Sequence, residues 1–356
     1  MRIRHGRDVL RDPLHRQRPV RHPRTRARNA ARLHAGDDPR DGPGLGGTAA
    51  PGVTGAKRAH ARAHAAEVRP RRLRAHHPPG ASRDAGRRCG RAMSPAMVCR
   101  ICGGATESLF ERTVLAKHRV CFHQCGSCGL TQTDDPTWLD EAYTDPIHPT
   151  DTGVLARNLG ARRVVATYLH LSGIRLEPCL DYAGGYGIFT RLMRDVGFEY
   201  FWMDPYATNM LARGFEWRPG PATPRVVTAF EVLEHLARPL EEFRRIAELG
   251  ADWIITSTEL HPGTRPDPDW DYLSVESGQH VAFYRRDTLE RLGRETGYPH
   301  VTAGPFFQIF ARKPFPAWKW QAAVRLGAFA FPIMKKLRPS LTVSDCESIR
   351  SRLRGE

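Results

Sequence analysis

Two carboxylates and a glycine turn are spaced to hold a ligand that carries a ribose. A short apolar stretch ends in Asp181, the turn Gly184-Gly185-Tyr186-Gly187 follows, and a helical pattern runs from Phe189 to Val196. Side chains at such a turn would hold a ligand away from the backbone, and tight turns of this kind often need positive φ, so glycine suits both demands. A second apolar strand, Tyr200 to Met203, ends in Asp204, 17 positions after Gly187. A carboxylate there can accept hydrogen bonds from both ribose hydroxyls. A third apolar run, from Arg225, leads straight into the polar edge Glu231-Val-Leu-Glu-His235.

The same acid spacing occurs in nicotinamide enzymes, but three details point elsewhere. Read from Gly185, the pattern Gly-Tyr-Gly-Ile-Phe-Thr190 lacks the third small residue that packs helix on strand. Asp181 precedes the turn, where it suits a cationic ligand and would repel a pyrophosphate. The third is the Glu-x-x-Glu-His edge itself. Together DYAGGYG, Asp204 and VVTAFEVLEHL resemble the class I S-adenosylmethionine-dependent methyltransferases over roughly Leu180 to Lys313. The resemblance implies an α/β, Rossmann-like sheet in which VVTAF is the fourth strand. It implies that S-adenosylmethionine binds across Asp181, Gly184, Gly185, Gly187 and Asp204, with Glu231 nearby. Ala183 stands where the family has glycine, and alanine disfavours positive φ.

Methyl transfer from a sulfonium is an in-line displacement, so the protein's tasks are to position the acceptor and, where needed, remove a proton. His280 and His235 are the candidate catalytic residues. For His280 a general base and a histidine that only holds its loop stand about even. His235, Glu231 and Glu234 also read as residues of a strand end and helix start. Tyr206, Trp270 and Tyr272 are candidate lining residues or ordinary packing.

Cys99-Arg-Ile-Cys102 and Cys125-Gly-Ser-Cys128 are paired knuckles with 22 residues between them. Two thiolates on each of two tight turns make a closed tetrahedral Zn2+ site, which is structural by default because no position stays open for water. Cys121, His118 and His123 rank below these four as ligands. The knuckles resemble the N-terminal zinc-binding region of sugar C-methyltransferases, which implies a sugar-linked acceptor. In that family a Glu-His pair removes the proton; here Gln279 precedes His280.

Composition divides the chain. Residues 1–96 contain no Phe, Trp or Tyr and hold 23 Arg plus Lys against 7 Asp plus Glu, whereas the remainder has 31 of each. All the net charge of +16 therefore lies in the tail. Such a segment buries too little apolar surface to offset its chain entropy and is expected to be disordered. Its Arg/Ala/Pro/Gly/His mixture is also what out-of-frame translation of GC-rich DNA gives, so a start at Met93 or Met97 is expected. The expected divisions are a 1–96 tail, a 97–135 zinc ribbon, a 136–313 methyltransferase domain and a 314–356 helical extension. The neutral body argues against nucleic acid as its partner. A small-molecule acceptor is expected, in the cytoplasm, since no secretory signal is visible and the other cysteines look scattered. Trp318 to Leu337 is too interrupted to span a membrane and reads as a packing or membrane-surface helix. A zinc-ribbon nucleic-acid binder and an inactive scaffold are the competing classes.

Overall fold

Alternating apolar residues on the parallel strands bury both faces of one sheet, and that two-sided burial organises the molecule. The computed structural model describes residue 89 and residues 97–144, 147–218, 220, 222–261 and 263–355. The expectations of a disordered 1–96 tail and of a later start thus fall, Cys89 and Met97 apart, outside the described residues.

The first sheet begins with a hairpin of β1 (Thr106–Val114) and β2 (His118–Cys125), followed by β3 (Thr131–Thr133). A four-residue helix, α1 (Leu139–Ala142), and the long α2 (Val154–Leu171) lead into the second sheet. There β4 (Cys179–Tyr182), α3 (Ile188–Arg194) and β5 (Tyr200–Met203) form the strand, turn and helix expected from the glycine motif. They are followed by β6 (Val226–Phe230), α4 (Pro239–Glu248), β7 (Trp253–Ser257), the short β8 (Ala282–Phe283) and α5 (Arg286–Glu295). An antiparallel pair, β9 (His300–Ala303) and β10 (Phe307–Ala311), precedes α6 (Ala317–Lys336) and α7 (Thr342–Arg354).

The six-stranded sheet has the order β5-β4-β6-β7-β10-β9, with β5, β4, β6 and β7 parallel and β10 antiparallel to both its neighbours. Leu180, Val227, Ile254 and Phe310 face one core with Phe243, Leu289 and Leu292 of α4 and α5. Their neighbours Cys179, Val226, Ile255 and Ile309 face the other, with Tyr168, Phe189 and Trp320 of α2, α3 and α6. This is an α/β mixed sheet consistent with the class I methyltransferase fold. One departure concerns strand count: β6 is the third parallel strand, not the fourth. Among the described residues between Asp204 and Arg225, only Glu216 pairs with the sheet, as an isolated bridge to Trp202. Gly214, Pro219, Gly220, Pro221 and Pro224 crowd that stretch, and proline supplies no ladder donor.

The second sheet has the order β1-β2-β3-β8. Its last strand comes from residues 282–283, so the segment 97–135 does not close its own sheet. Cys99, Cys125, Cys128 and Leu130 also share a core with Leu180, Val227 and Phe243. The boundary expected at residue 135 is therefore bridged both by backbone pairing and by packing.

Trp320 of α6 stacks edge-on against Tyr168 of α2, with ring centroids 5.3 Å apart. Along α6, Trp318, Leu326, Phe329 and Ile333 are exposed. Among the described residues no helix is long and apolar enough to cross a membrane. Helix α7 is fastened by charge: Arg194 of α3 meets Asp345 through Nε at 2.9 Å and Nη2 at 2.7 Å, and Arg191 adds a contact at 2.8 Å. Both Arg194 and Asp345 are buried. Removing one member of a buried pair strands the other, at a cost of roughly 3–5 kcal/mol. Asp345→Ala is accordingly expected to lower the unfolding free energy by about 3 kcal/mol in urea titration; a change under about 0.5 kcal/mol would show that the pair does not anchor α7.

Candidate active site and cysteine cluster

At the carboxyl ends of β4 and β5 the glycine turn and Asp204 meet directly. The Gly185 amide donates to Asp204 Oδ2 at 2.9 Å, while Oδ1 accepts from the amides of Tyr206 (2.8 Å) and Ala207 (2.9 Å). Asp204 is half-buried and turned toward the turn rather than toward open solvent. Tyr182 and Tyr186 are also only half-buried. Gly184 must be glycine, because a Cβ there would lie 2.8 Å from both Asp181 Oδ2 and Trp202 Cδ1. Gly185, at φ +53°, faces open space where its side chain would be, which leaves backbone accessible to a ligand. Gly187 caps the start of α3. Ala183 adopts φ 53°, the left-handed conformation its missing glycine would have taken more cheaply.

Asp181 lies beneath the turn rather than in it. It is 3% exposed and accepts hydroxyl hydrogen bonds from Thr190 (3.0 Å) and Thr228 (3.2 Å). Burial pushes its carboxyl up to about 7, against the pull of those hydroxyls. Tyr206, two residues after Asp204, is 89% exposed.

A second constellation forms where β6 ends. Glu231 has φ 51°, a left-handed value for a residue that is not glycine. Its amide is held by Ser257, whose hydroxyl in turn donates to Glu231 Oε1 at 2.6 Å. Arg157 of α2 reaches Glu231 Oε2 at 3.2 Å while gripping both carboxylate oxygens of Asp151 at 2.7 Å. Burial, and then the neighbouring Glu234, push the Glu231 carboxyl up to about 7.

His235 and His280 come together, with ring centroids 4.8 Å apart and planes at 82°. His280 Nδ1 lies 2.7 Å from the Tyr272 carbonyl. His235 Nδ1 lies 3.1 Å from the Gln279 carbonyl and 2.8 Å from the Tyr143 hydroxyl. A carbonyl only accepts, so each ring donates through Nδ1. Burial, and then His280, hold His235 down to about 3, so it stays neutral.

Glu234 was not singled out as a site residue. It is fully buried, accepts from the Tyr272 hydroxyl at 2.6 Å, and lies beside both histidines. It supplies the carboxylate that Gln279 lacks; Glu276 is exposed, and the Gln279 side-chain amide instead donates to the Ala142 carbonyl. The Glu-x-x-Glu-His string was the available signal, masked by its reading as an acidic helix start. Trp270 and Tyr272 line the same place, their rings tilted at 37° with centroids 5.2 Å apart, and Tyr272 lies 4.7 Å from the His280 ring. Arg157 and Tyr143 carry no local pattern and were missed.

The sulfurs of Cys99, Cys102, Cys125 and Cys128 lie within 4.8 Å of one another, with the pairs Cys99–Cys128 and Cys102–Cys125 at 3.5 Å. For bonds of about 2.3 Å a tetrahedral zinc site needs sulfurs roughly 3.8 Å apart, so the set fits with little movement. Amides of Ile101, Ser127 and Cys128 point at the sulfurs of Cys99 and Cys125. The hydrogen bond from Cys128 holds the Cys99 thiol down to about 5, while the same contact and burial push Cys128 up. Cys121 is joined to Cys89 by a disulfide, which removes it as an alternative ligand and overturns the expectation that the remaining cysteines are all scattered thiols. The cytoplasmic address loses that support. His118 and His123 pair instead with Glu141 and Asp134.

Asp181 holds its proton more tightly folded than unfolded. Its stabilising share is thus complete below about pH 4 and disappears as pH climbs to about 7, with an upper bound of roughly 4 kcal/mol. Asp181→Asn, which cannot ionise, should lose less thermal stability than the parent between pH 5 and 8. Parallel Tm profiles for the two proteins would rule out an elevated Asp181 carboxyl.

Solved structures to which the chain shows similarity include the mitomycin 7-O-methyltransferase MmcR, 18% identical with a TM-score of 0.35, covering 50% of this chain and 60% of that one. Human N-acetylserotonin methyltransferase, in complex with S-adenosylmethionine, is 15% identical with a TM-score of 0.34, covering 44% and 52%. The magnesium protoporphyrin IX methyltransferase of Synechocystis is 14% identical with a TM-score of 0.36, covering 51% and 100%. The chain thus spans little more than half the length of the first two. No curated protein sequence matches it. Residues 155–303, which hold the parallel strands and the glycine turn, match the family model described as a methyltransferase domain, Methyltransf_23.

Proposed function

We propose that the protein transfers the methyl group of S-adenosylmethionine to a small-molecule acceptor, with a sugar nucleotide or glycoside as the preferred class. The observation that carries this reading is the Asp204 carboxylate turned onto the Gly185 amide beside open space, at the sheet edge where α/β folds bind ligands. The cofactor supplies a sulfonium-activated methyl group. Asp204 would hold the ribose hydroxyls, Gly184, Gly185 and Gly187 would admit the cofactor's chain, and Asp181 beneath them would offset its positive charge as it ionises. Glu231 closes the far side, fixed by Ser257 and Arg157.

On the acceptor side the reading assigns His280 and His235. Their Nδ1 atoms are held by backbone carbonyls, which aims both rings and leaves each Nε2 to act on the acceptor's proton. Trp270 and Tyr272 offer an aromatic wall suited to a sugar face. The cysteine cluster would hold a structural Zn2+, for its four sulfurs leave no open position. Its contribution to chemistry is indirect: β3 pairs with β8, and β8 begins two residues after His280.

Calorimetric titration of the full chain with S-adenosylmethionine tests the donor assignment. Binding is expected, weakened at least tenfold in Asp204→Ala; a folded protein that takes up no cofactor at saturating concentration would end the enzymatic reading. Cys125→Ser tests the cluster and is expected to lose one equivalent of zinc by elemental analysis and several degrees of Tm. Unchanged zinc content would remove the metal from the cysteines.

A further inference from the structure

We propose that Glu234, His235 and His280 form a second metal site, for a divalent cation of the zinc class, separate from the four cysteines. One ligand atom from each of the three residues lies within 4.8 Å of the others. Glu234 is 0% exposed, and its Oε2 has no hydrogen-bond partner among the described residues, although Oε1 accepts from Tyr272 at 2.6 Å. An unpaired carboxylate oxygen in a core is expensive and calls for a missing partner.

The histidines identify the partner. Each has its Nδ1 against a backbone carbonyl, Tyr272 for His280 and Gln279 for His235, the outer-shell arrangement that orients imidazoles for metal. Two imidazole nitrogens and one carboxylate oxygen, all neutral or anionic, make the three-ligand set of catalytic zinc with positions left open. Ligand atoms on a zinc ion stand about 3.3 Å apart for bonds of about 2.0–2.1 Å, so closure asks side-chain shifts of about 1 Å. The half-buried His280 has that freedom.

Where the methyl-transfer reading holds, this site selects an oxygen acceptor, and that consequence rests on the reading. An acceptor hydroxyl bound at the cation loses its proton to water. Its oxygen electron pair then forms the bond to the methyl carbon while the carbon–sulfur pair returns to sulfur. His235 and His280 would then act on the proton through the cation instead of accepting it themselves.

Equilibrium dialysis of the full chain against zinc chloride, with bound metal counted by mass spectrometry, tests the site. The parent is expected to hold one more equivalent than either Glu234→Gln, which keeps the shape and the Tyr272 hydrogen bond, or His280→Gln. Both variants should retain the equivalent that Cys125→Ser removes. Equal zinc in the parent and both variants would overturn the proposal. Titrating the same samples with S-adenosylmethionine keeps the two readings apart: loss of the second zinc in a chain that takes no cofactor upholds the site and sinks the proposed activity.

Discussion

The peptide on either side of Val281 ties the molecule together. Its amide donates to the Glu234 carbonyl at 2.8 Å, and its carbonyl accepts from the Thr133 amide at 3.2 Å. Val281 itself is fully buried. One residue thus couples the cysteine-bearing sheet, the segment that carries His280, and the strand end that carries Glu234 and His235. Buried backbone groups must be paired, so moving any of these three elements leaves a polar group unmet in the other two. The geometry of the two-histidine site therefore depends on the cysteine cluster, even though no cysteine approaches it.

Strain sits at neighbouring strand ends. Ala183 after β4 and Glu231 after β6 both take left-handed backbone conformations, which cost an ordinary L-residue roughly 1–2 kcal/mol. At Glu231 the cost is offset locally: its amide donates to the Ser257 carbonyl and hydroxyl oxygens, and the Ser257 hydroxyl donates to its side chain. At Ala183 the next amide, Gly184, bonds to the Met203 carbonyl at 3.3 Å, which draws the turn onto β5. Both conformations turn the chain sharply at the carboxyl edge, so that Gly185 meets Asp204 on one side and Glu231 meets Arg157 on the other. Leu115, Ala116 and Ser274 take such conformations elsewhere, but these two stand at the carboxyl edge of the parallel strands.

Much of this was legible in the sequence, for a physical reason. Strands buried on both faces read as continuous apolar runs, so Tyr200–Met203 matches the structure end for end and VVTAF falls in the run read from Arg225. Glycine turns and Cys-x-x-Cys knuckles are local geometry, and local geometry is written locally. What escaped was set by long-range pairing. The two residues of β8 carry no strand pattern of their own and join a sheet only because β3 waits about 150 residues upstream. Glu234 looked like an ordinary acid at a helix start until Tyr272 and His280 closed over it. Family likeness implied a further strand between Asp204 and Arg225, where the described residues form a single bridge, Trp202 to Glu216.

The charge balance around the two histidines follows from the same closure. Glu231 has a cation, Arg157, and that guanidinium is shared with Asp151. Glu234 Oε1 accepts from the Tyr272 phenol, and Oε2 has no hydrogen-bond partner among the described residues. Two carboxylates so close would ordinarily neutralise one another by taking up a proton, and the elevated Glu231 carboxyl is that tendency at work. A dication placed between Glu234 and the imidazoles would answer that excess of negative charge. The electrostatics thus favour a ligand that three donors can share, and only a metal ion accepts from all three at once.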